Sequence, residues 1–366
     1  MPAASPERLR ADLASLAHRG HDVRDFSLGA ARILRRAVPF DGVCVLTLDP
    51  ATLLPTGEMV ENGLPPAATA RMAEIEVGEN DFNKFPALAR APRPAAGLSE
   101  ATEGELDRSL RHRELRRPNG FGDELRAALV SDSATWGGIT LLREAGRADF
   151  TPADSRLIAA LSHHIAEGLR RAIVRGALAA VEPGQPESAG VVVLEVDNSI
   201  AEANPAAEAW LAELLDDAPP GEQVPHVVTA VASRARSAAT GRAVADARAR
   251  VLTPSGLWLL VHGSTLGDGP DARSVVILEP ARTPELAPLL ADAYGLTERE
   301  RAVTQLVAQG LDTSAIAERL HLSPWTVQDH LKAIFEKTGA GTRGELVARL
   351  FFEHYAPRLT GAAPPP

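Results

Sequence analysis

The chain has 366 residues, of which 45% are hydrophobic, and a formal net charge of −10; two or three domains are expected, and the charge argues against a protein that coats nucleic acid non-specifically while leaving room for a small DNA-reading module on an acidic body. Its single cysteine, Cys44, excludes an intramolecular disulfide and a cysteine-cluster metal site, and none of its three lysines (Lys84, Lys332, Lys337) sits in a Gly-x-x-x-x-Gly-Lys-Ser/Thr run, which excludes a P-loop ATPase. No run of about 18 apolar residues offers a membrane span, and MPAASPERLRADLASL lacks the basic-then-apolar pattern of a secretory signal, so a cytoplasmic protein with no membrane partner is expected.

In chain order, Leu9, Leu13 and Leu16 mark a first helix, and Phe26, Ala30, Ile33 and Leu34 mark a second. DGVCVLTLDP (41–50) reads as a strand, and 124–144 as a strand pair turning at Asp132-Ser133. Thr151, Pro152 and Asp154 open a long helix with an N-cap, a proline in the first turn and an acid behind it. Its stripe of Leu157, Leu161, Ile165, Leu169 and Ile173 packs either on its own domain or on a second copy of the chain. EPGQPES (182–188) reads as a linker. Beyond it come a strand at 190–194, a short strand, a helix capped by Asn204, and three strands across 243–280 with Pro254-Ser255-Gly256 as a hairpin turn. A second linker is expected from Arg282 through Pro288, and 356–366 as a disordered tail.

The segment 290–355 is densely punctuated. Thr297 and Glu300 are spaced as a capping box, Gly310 suits a left-handed helix end, and Asp312 or Thr313 caps a second helix. After a turn at His321-Leu322, Ser323 caps a third helix with Pro324 at its first position; Gly339 ends it, and Thr342 with Glu345 opens a fourth. On the third helix Val327, Leu331, Ile334 and Phe335 form the inward stripe, leaving Gln328, Asp329, Lys332 and Glu336 outside. Two short helices joined by a tight turn are the layout that seats a recognition helix in the DNA major groove. There glutamine can read adenine, aspartate can accept from cytosine, and lysine can reach guanine or phosphate.

LTERERAVTQLVAQGLDTSAIAERLHLSPWTVQDHLKAIFEKTGAGTRGELV (296–347) resembles the LuxR-type DNA-binding domain, through its Leu-Thr-x-Arg-Glu opening, Ile-Ala-x-x-Leu, Ser-x-x-Thr-Val-x-x-His-Leu, Lys337 and Arg343. The resemblance covers about one sixth of the chain. It implies that Gln328, Asp329 and Lys332 face bases, that Thr326, Lys337 and Trp325 lie toward the backbone, that Arg343 belongs to the DNA-binding set, and that a homodimer pairs around Leu346, Val347 and Leu350. Ser323, with Thr326 at the helix start, places hydroxyls and free amides near a phosphate. The chain departs from the family pattern at Ser314 and Ala315, where Lys-Glu is frequent, and at Gln328, where lysine is frequent. Across 291–355 there are seven basic and nine acidic residues, a balance that predicts weak binding by one copy.

The front two thirds resemble sensor regions in layout. Residues 1–180 are GAF-like with a long exit helix, and 185–281 are PAS-like, with Asn204 starting the helix after the second strand. The expected fold is therefore multidomain α+β: GAF-like and PAS-like α/β sensor domains followed by an all-α four-helix helix-turn-helix domain. The resemblance implies double-stranded DNA as a partner and an unidentified small-molecule ligand, with ligand-binding residues unassigned. No metal, cofactor or catalytic residue is expected. Asn83-Lys84-Phe85 resembles part of a cyclic-nucleotide motif of GAF domains, but Phe121, Asp123 and Glu124 are misspaced for it, and a surface loop is expected. Adjacent His163 and His164 lack acid or cysteine partners, so no metal pair is expected. Cys44 reads as a core thiol; a methionine sulfoxide reductase, which needs reactive cysteines, is the enzymatic alternative. A signalling scaffold that no longer binds DNA is the other.

Overall fold

The computed structural model describes residues 5–132, 134–177, 188–216, 221–241, 246–267 and 272–352. The expected linker at 182–187 and tail at 356–366 lie outside them, as does Ser133 of the predicted turn. The chain divides into two compact units, the first ending at Pro280 and the second starting at Ala281.

The first unit opens with α1 (Pro6–Ala17) and α2 (Val23–Arg35), both at the predicted places. Strands β1 (Gly42–Leu48) and β2 (Pro55–Glu61) precede α3 (Thr69–Gly78), α4 (Phe85–Arg90), β3 (Ala95–Gly97) and α5 (Leu98–Ala101). The predicted strand pair is β4 (Phe121–Ser131) and β5 (Ala134–Glu144), followed by the long helix α6 (Pro152–Ala177). A second set follows: β6 (Gly190–Leu194), β7 (Ile200–Ala203), α7 (Pro205–Leu215), α8 (His226–Ala239), β8 (Arg248–Leu252), β9 (Trp258–Leu266) and β10 (Arg273–Pro280). The two sheets are antiparallel and share one order: β2-β1-β5-β4-β3 in the first, β7-β6-β10-β9-β8 in the second.

Side chains alternate across the first sheet, and its two faces differ in chemistry. Val43, Val45, Leu125, Ala127, Ile139 and Leu141 point to one core with α1, α2 and α6. Leu161, Ile165 and Leu169 of the α6 stripe are fully buried in that core, so the stripe packs on its own domain. Gly168 lets α6 approach α2: a Cβ there would lie 1.9 Å from the Phe26 ring. Thr151 caps the helix as read, accepting from the Asp154 amide while Asp154 accepts from Thr151 N–H.

The opposite face carries Cys44, Thr140, Glu124 and Arg126. Behind Arg126, Arg111 is fully buried and pairs with Glu124 and Asp81, Arg116 donates through Nε to Glu124 at 3.3 Å, and Arg126 donates to Glu76 at 2.9 Å. The arginines hold Glu124 far below its ordinary range, at about 2, against the opposing cost of burial. Phe85 of the Asn83-Lys84-Phe85 segment is buried in this layer, not on a surface loop. It lies on Gly138, where a Cβ would meet the ring at 2.4 Å, and under the Arg126 guanidinium at 3.8 Å. Residues 51–120, to which no regular element is assigned from the sequence, hold helices that cover this face.

The second sheet packs its core of Trp210, Val228, Val231, Val261 and Val276 under α7 and α8, and that core continues into Leu54 and Ala73 of the first set. Asn204 caps α7 as predicted, accepting from Ala207 N–H at 2.9 Å. Polar contacts join the sets, with Arg236 of α8 within 4.0 Å of Glu74 of α3 and two closer clasps. Buried Asp49 accepts from Arg250 Nη2, Nε and N–H at 2.6, 2.9 and 2.8 Å, and Glu58 pairs with His226 at 3.3 Å.

The second unit begins with α9 (Thr283–Ala293), where a linker was expected. Pro288 sits inside this helix without an amide to donate, yet Leu286, Leu289 and Leu290 are all buried, and that packing outweighs the proline cost. Then come α10 (Glu298–Ala308), α11 (Thr313–Leu320), α12 (Pro324–Thr338) and α13 (Arg343–Val347), which runs into a π turn at Ala348–Phe352.

Candidate nucleic-acid interface

Local chemistry sets the angles of the last helices. Thr297 and Glu300 make the reciprocal capping box, with Glu300 N–H to Thr297 Oγ1 at 3.3 Å and Thr297 N–H to Glu300 Oε2 at 2.7 Å. At the far end of α10, Gly310 adopts φ 82°; its N–H donates to Val307 O and Leu311 N–H to Leu306 O, a Schellman closure. Asp312, rather than Thr313, caps α11 through Ala315 N–H at 2.8 Å. The turn into α12 places His321 in the left-handed region at φ 54°, with Leu322 N–H closing on Ala317 O. Ser323 then caps α12, accepting from Thr326 N–H at 3.0 Å, with its hydroxyl 2.8 Å from that of Thr326.

Val327, Leu331 and Ile334 are buried and fix the rotation of α12, while Phe335 is half-buried. Gln328, Asp329, Lys332 and Glu336 are exposed along the opposite side, as the 3.6-residue period requires. Trp325, at the first turn, is 75% exposed. Thr326 is half-buried and Ser323 exposed, both at the amide-rich start of the helix where a phosphate is well received.

The remaining predicted residues are placed differently from a free phosphate-binding side chain. Lys337 Nζ donates to Glu300 Oε2 at 2.7 Å and to Gly295 O at 2.9 Å, tying α12 to the start of α10. Arg343 donates to Leu311 O at 2.8 Å and to Thr313 Oγ1 at 2.7 Å, tying α13 to α11; Gln328 Nε2 also reaches Thr313 Oγ1, at 3.2 Å. Arg301 and Arg349 are likewise held, by Leu296 O and Asp292 and by Thr338 O and Glu345. Among the described residues of 291–352, Arg299, Arg319 and Lys332 are the exposed cations with no such tie. Of the three residues expected at a dimer seam, Leu346 and Leu350 are buried within the chain and Val347 is half-buried.

Cys44 faces the polar side of the first sheet; burial pushes its thiol up to about 12, so the reactive thiolate is scarce at neutral pH. His163 and His164 meet edge to face at 5.6 Å between ring centres on α6. Among the described residues no helix is long and apolar enough to cross a membrane.

Residues 295–350 match the family model for bacterial regulatory proteins of the luxR family. The chain is 48% identical across 59 residues to an HTH-type transcriptional regulator of Aeromonas salmonicida, covering 16% of this chain and 30% of that protein. It is 42% identical across 71 residues to the transcriptional regulatory protein UhpA of Escherichia coli K12 (19% and 36%), and 35% identical across 96 residues to DesR of Bacillus subtilis (24% and 48%). The chain thus spans less than half the length of each of these relatives. A solved Vibrio cholerae VqmA–ligand–DNA complex aligns with 49% of this chain and 89% of its own at 16% identity, but with a TM-score of 0.22, too low to speak for a common overall fold. The second unit of this chain therefore carries a LuxR-type helix-turn-helix domain, and these relatives of the chain are transcriptional regulators.

Proposed function

We propose that the chain is a sequence-specific DNA-binding transcriptional regulator that acts as a homodimer and takes its signal through the first unit. The observation that carries this reading is the outward face of α12: Gln328, Asp329 and Lys332 in one exposed row behind the Ser323 cap, within the matched segment. Gln328 and Asp329 supply donor and acceptor groups for base edges, and Lys332 a cation for guanine or phosphate. With Arg299 and Arg319 the single helical unit offers few phosphate neutralisers, so two copies on paired half-sites supply the affinity. Pairing near α13 falls to half-buried Val347 and Ala348, because Leu346 and Leu350 are already used inside the chain. The two five-stranded sheets with their flanking helices support the GAF-like and PAS-like readings of the first unit. A small pH 7 thiolate fraction at Cys44 disfavours the reductase alternative.

Genome-wide DNA capture with the intact protein, beside a Gln328→Ala, Lys332→Ala variant, tests the reading. Enrichment of a short inverted repeat by the intact protein and not by the variant is the expected result. Enrichment of nothing by either would overturn it in favour of a scaffold whose helical domain no longer reads DNA, a reading that the tied Lys337 and Arg343 favour. Sedimentation of the intact protein checks the dimer separately.

A further inference from the structure

The polar face of the first sheet lines a partly open pocket of ≈ 70 Å³, room for about five waters, that the established motifs do not use. Strand register builds its floor. Val60 pairs with Cys44, Cys44 with Thr140, and Thr140 with Arg126, so these four side chains stand in one row across β2, β1, β5 and β4. Leu46, Met72 and Phe85 give it an apolar wall, Arg116 a second cation, and Glu58 with His226 a polar end reached from α8.

Two features of the arginines distinguish this cavity from a packing void. Both side chains are more than nine-tenths buried, yet neither guanidinium is satisfied by protein. Arg116 donates through Nε alone among the described residues, and Arg126 Nε is buried with no acceptor while its Nη1 serves Glu76 and Asn83 O. Buried N–H groups of a charged side chain without acceptors are costly, and polar cavities of this kind hold water or a ligand. Burial also depresses Arg116 below its ordinary value, the direction that a bound anion would reverse.

We infer that this cavity binds a small organic monocarboxylate with a short apolar body, its carboxylate held by Arg116 and Arg126 and its tail against Leu46, Met72 and Phe85. Charge balance selects the head group. Arg111, Arg116 and Arg126 are matched by Glu76, Asp81 and Glu124, so the site offers spare donors rather than surplus positive charge. A singly charged, planar carboxylate meets two guanidinium edges and adds one negative charge to this balanced site, which Glu58 also lines, whereas a divalent phosphate would add two. The size of the cavity limits the body to a few carbons. Because His226 of α8 closes one end, occupancy spans the two sheets of the first unit, which makes this the signal-receiving site of the reading above. The site itself is tested without DNA, so its failure and the failure of the DNA reading are separable.

The test is titration calorimetry and thermal melting of the full chain with sodium acetate, butyrate and isovalerate at matched ionic strength, with isovaleramide as the neutral isostere. One-to-one binding that tightens from acetate to isovalerate, and at least a tenfold weaker amide, is expected. Arg116→Met should weaken isovalerate at least tenfold. Val60→Phe, which fills the floor without touching a charge, should abolish binding in a protein that melts normally, and it decides the matter if Arg116→Met fails to fold. No binding of any carboxylate by the wild type at 20 mM, equal binding of acid and amide, unaltered binding by Val60→Phe, or tighter binding of inorganic phosphate would each overturn the assignment.

Discussion

Within the helical unit, residues that look equivalent in sequence carry different burdens. Lys332 is exposed and untied, whereas Lys337 satisfies Glu300, which is itself buried within the α10 capping box. Lys332→Ala should therefore leave the melting temperature unchanged and lower DNA affinity, with the slope of log K against log salt reduced by about 1 per protomer. Lys337→Ala should instead cost about 1–2 kcal/mol of stability, since it strands a carboxylate and the Gly295 carbonyl, with the half-exposed lysine keeping the figure low. With Arg299, Arg319 and Lys332 as the free cations, the intact slope should be near −3 for one copy and about −5 for a pair. A slope steeper than about −8 in a mobility-shift series would mean that tied arginines turn outward on DNA. Gln328→Ala should cost about 1–3 kcal/mol at one base position and little elsewhere, read by selection from randomised operators.

At the scale of helices and strands, Gly168 shows how packing overrides propensity. Alanine gains about 1 kcal/mol over glycine inside a helix, but its Cβ would fall 1.9 Å from Phe26, and separating α6 from α2 costs about 1–3 kcal/mol by overpacking. Gly168→Ala should be net destabilising in thermal melts, and pairing it with Phe26→Leu should recover part of the loss; a stabilised single variant would contradict the close approach. Much of this level was legible beforehand. Capping boxes, the Gly310 and Gly339 stops, the strand pair at 124–144 and the Asn204 cap all depend on signals within four or five residues. What was not legible depends on distant partners. Glu76, Asp81, Arg111, Arg116 and Arg126 carry no local mark of burial in the sequence because their partners are 8 to 50 positions away. The linker expected at 282–288 failed for the same reason: two prolines signalled a break, while the burial of Leu286, Leu289 and Leu290 that sustains α9 is invisible in local pattern. Lys337 and Arg343 were placed by resemblance, but their hydrogen bonds to Gly295 and Leu311 are long-range and carry no local sequence mark.

Over the whole first unit, the join between its two sheets carries a pH dependence of opposite sign to that of its buried network. Glu124, held at about 2 against 4.5 when unfolded, contributes stability that is present above 4.5 and lost as pH falls toward 2. His226 is raised by Glu58 and Glu222 against the pull of burial, so its contribution is present below 6.5 and lost as pH rises through the folded value. Glu222, pushed up to about 7 by burial and by Glu58, takes up a proton on folding between about 4.5 and 7; stability again declines as pH climbs through that window. Above it, Glu58 and Glu222 are both ionised beside one imidazole, and the α8–β2 contact loses its ion pair once that imidazole gives up its proton. Acid loss below 4.5 and alkaline loss above it place the maximum near pH 5. Thermal melts from pH 3 to 9 should show that maximum, with a decline by pH 8 that Glu222→Gln flattens, because the amide never ionises beside Glu58. A wild-type profile level from pH 5 to 8 and superimposable on that of Glu222→Gln would show that the join rests on contacts that do not titrate in this range, such as the Asp49–Arg250 clasp and the apolar contacts of Leu54 and Ala73.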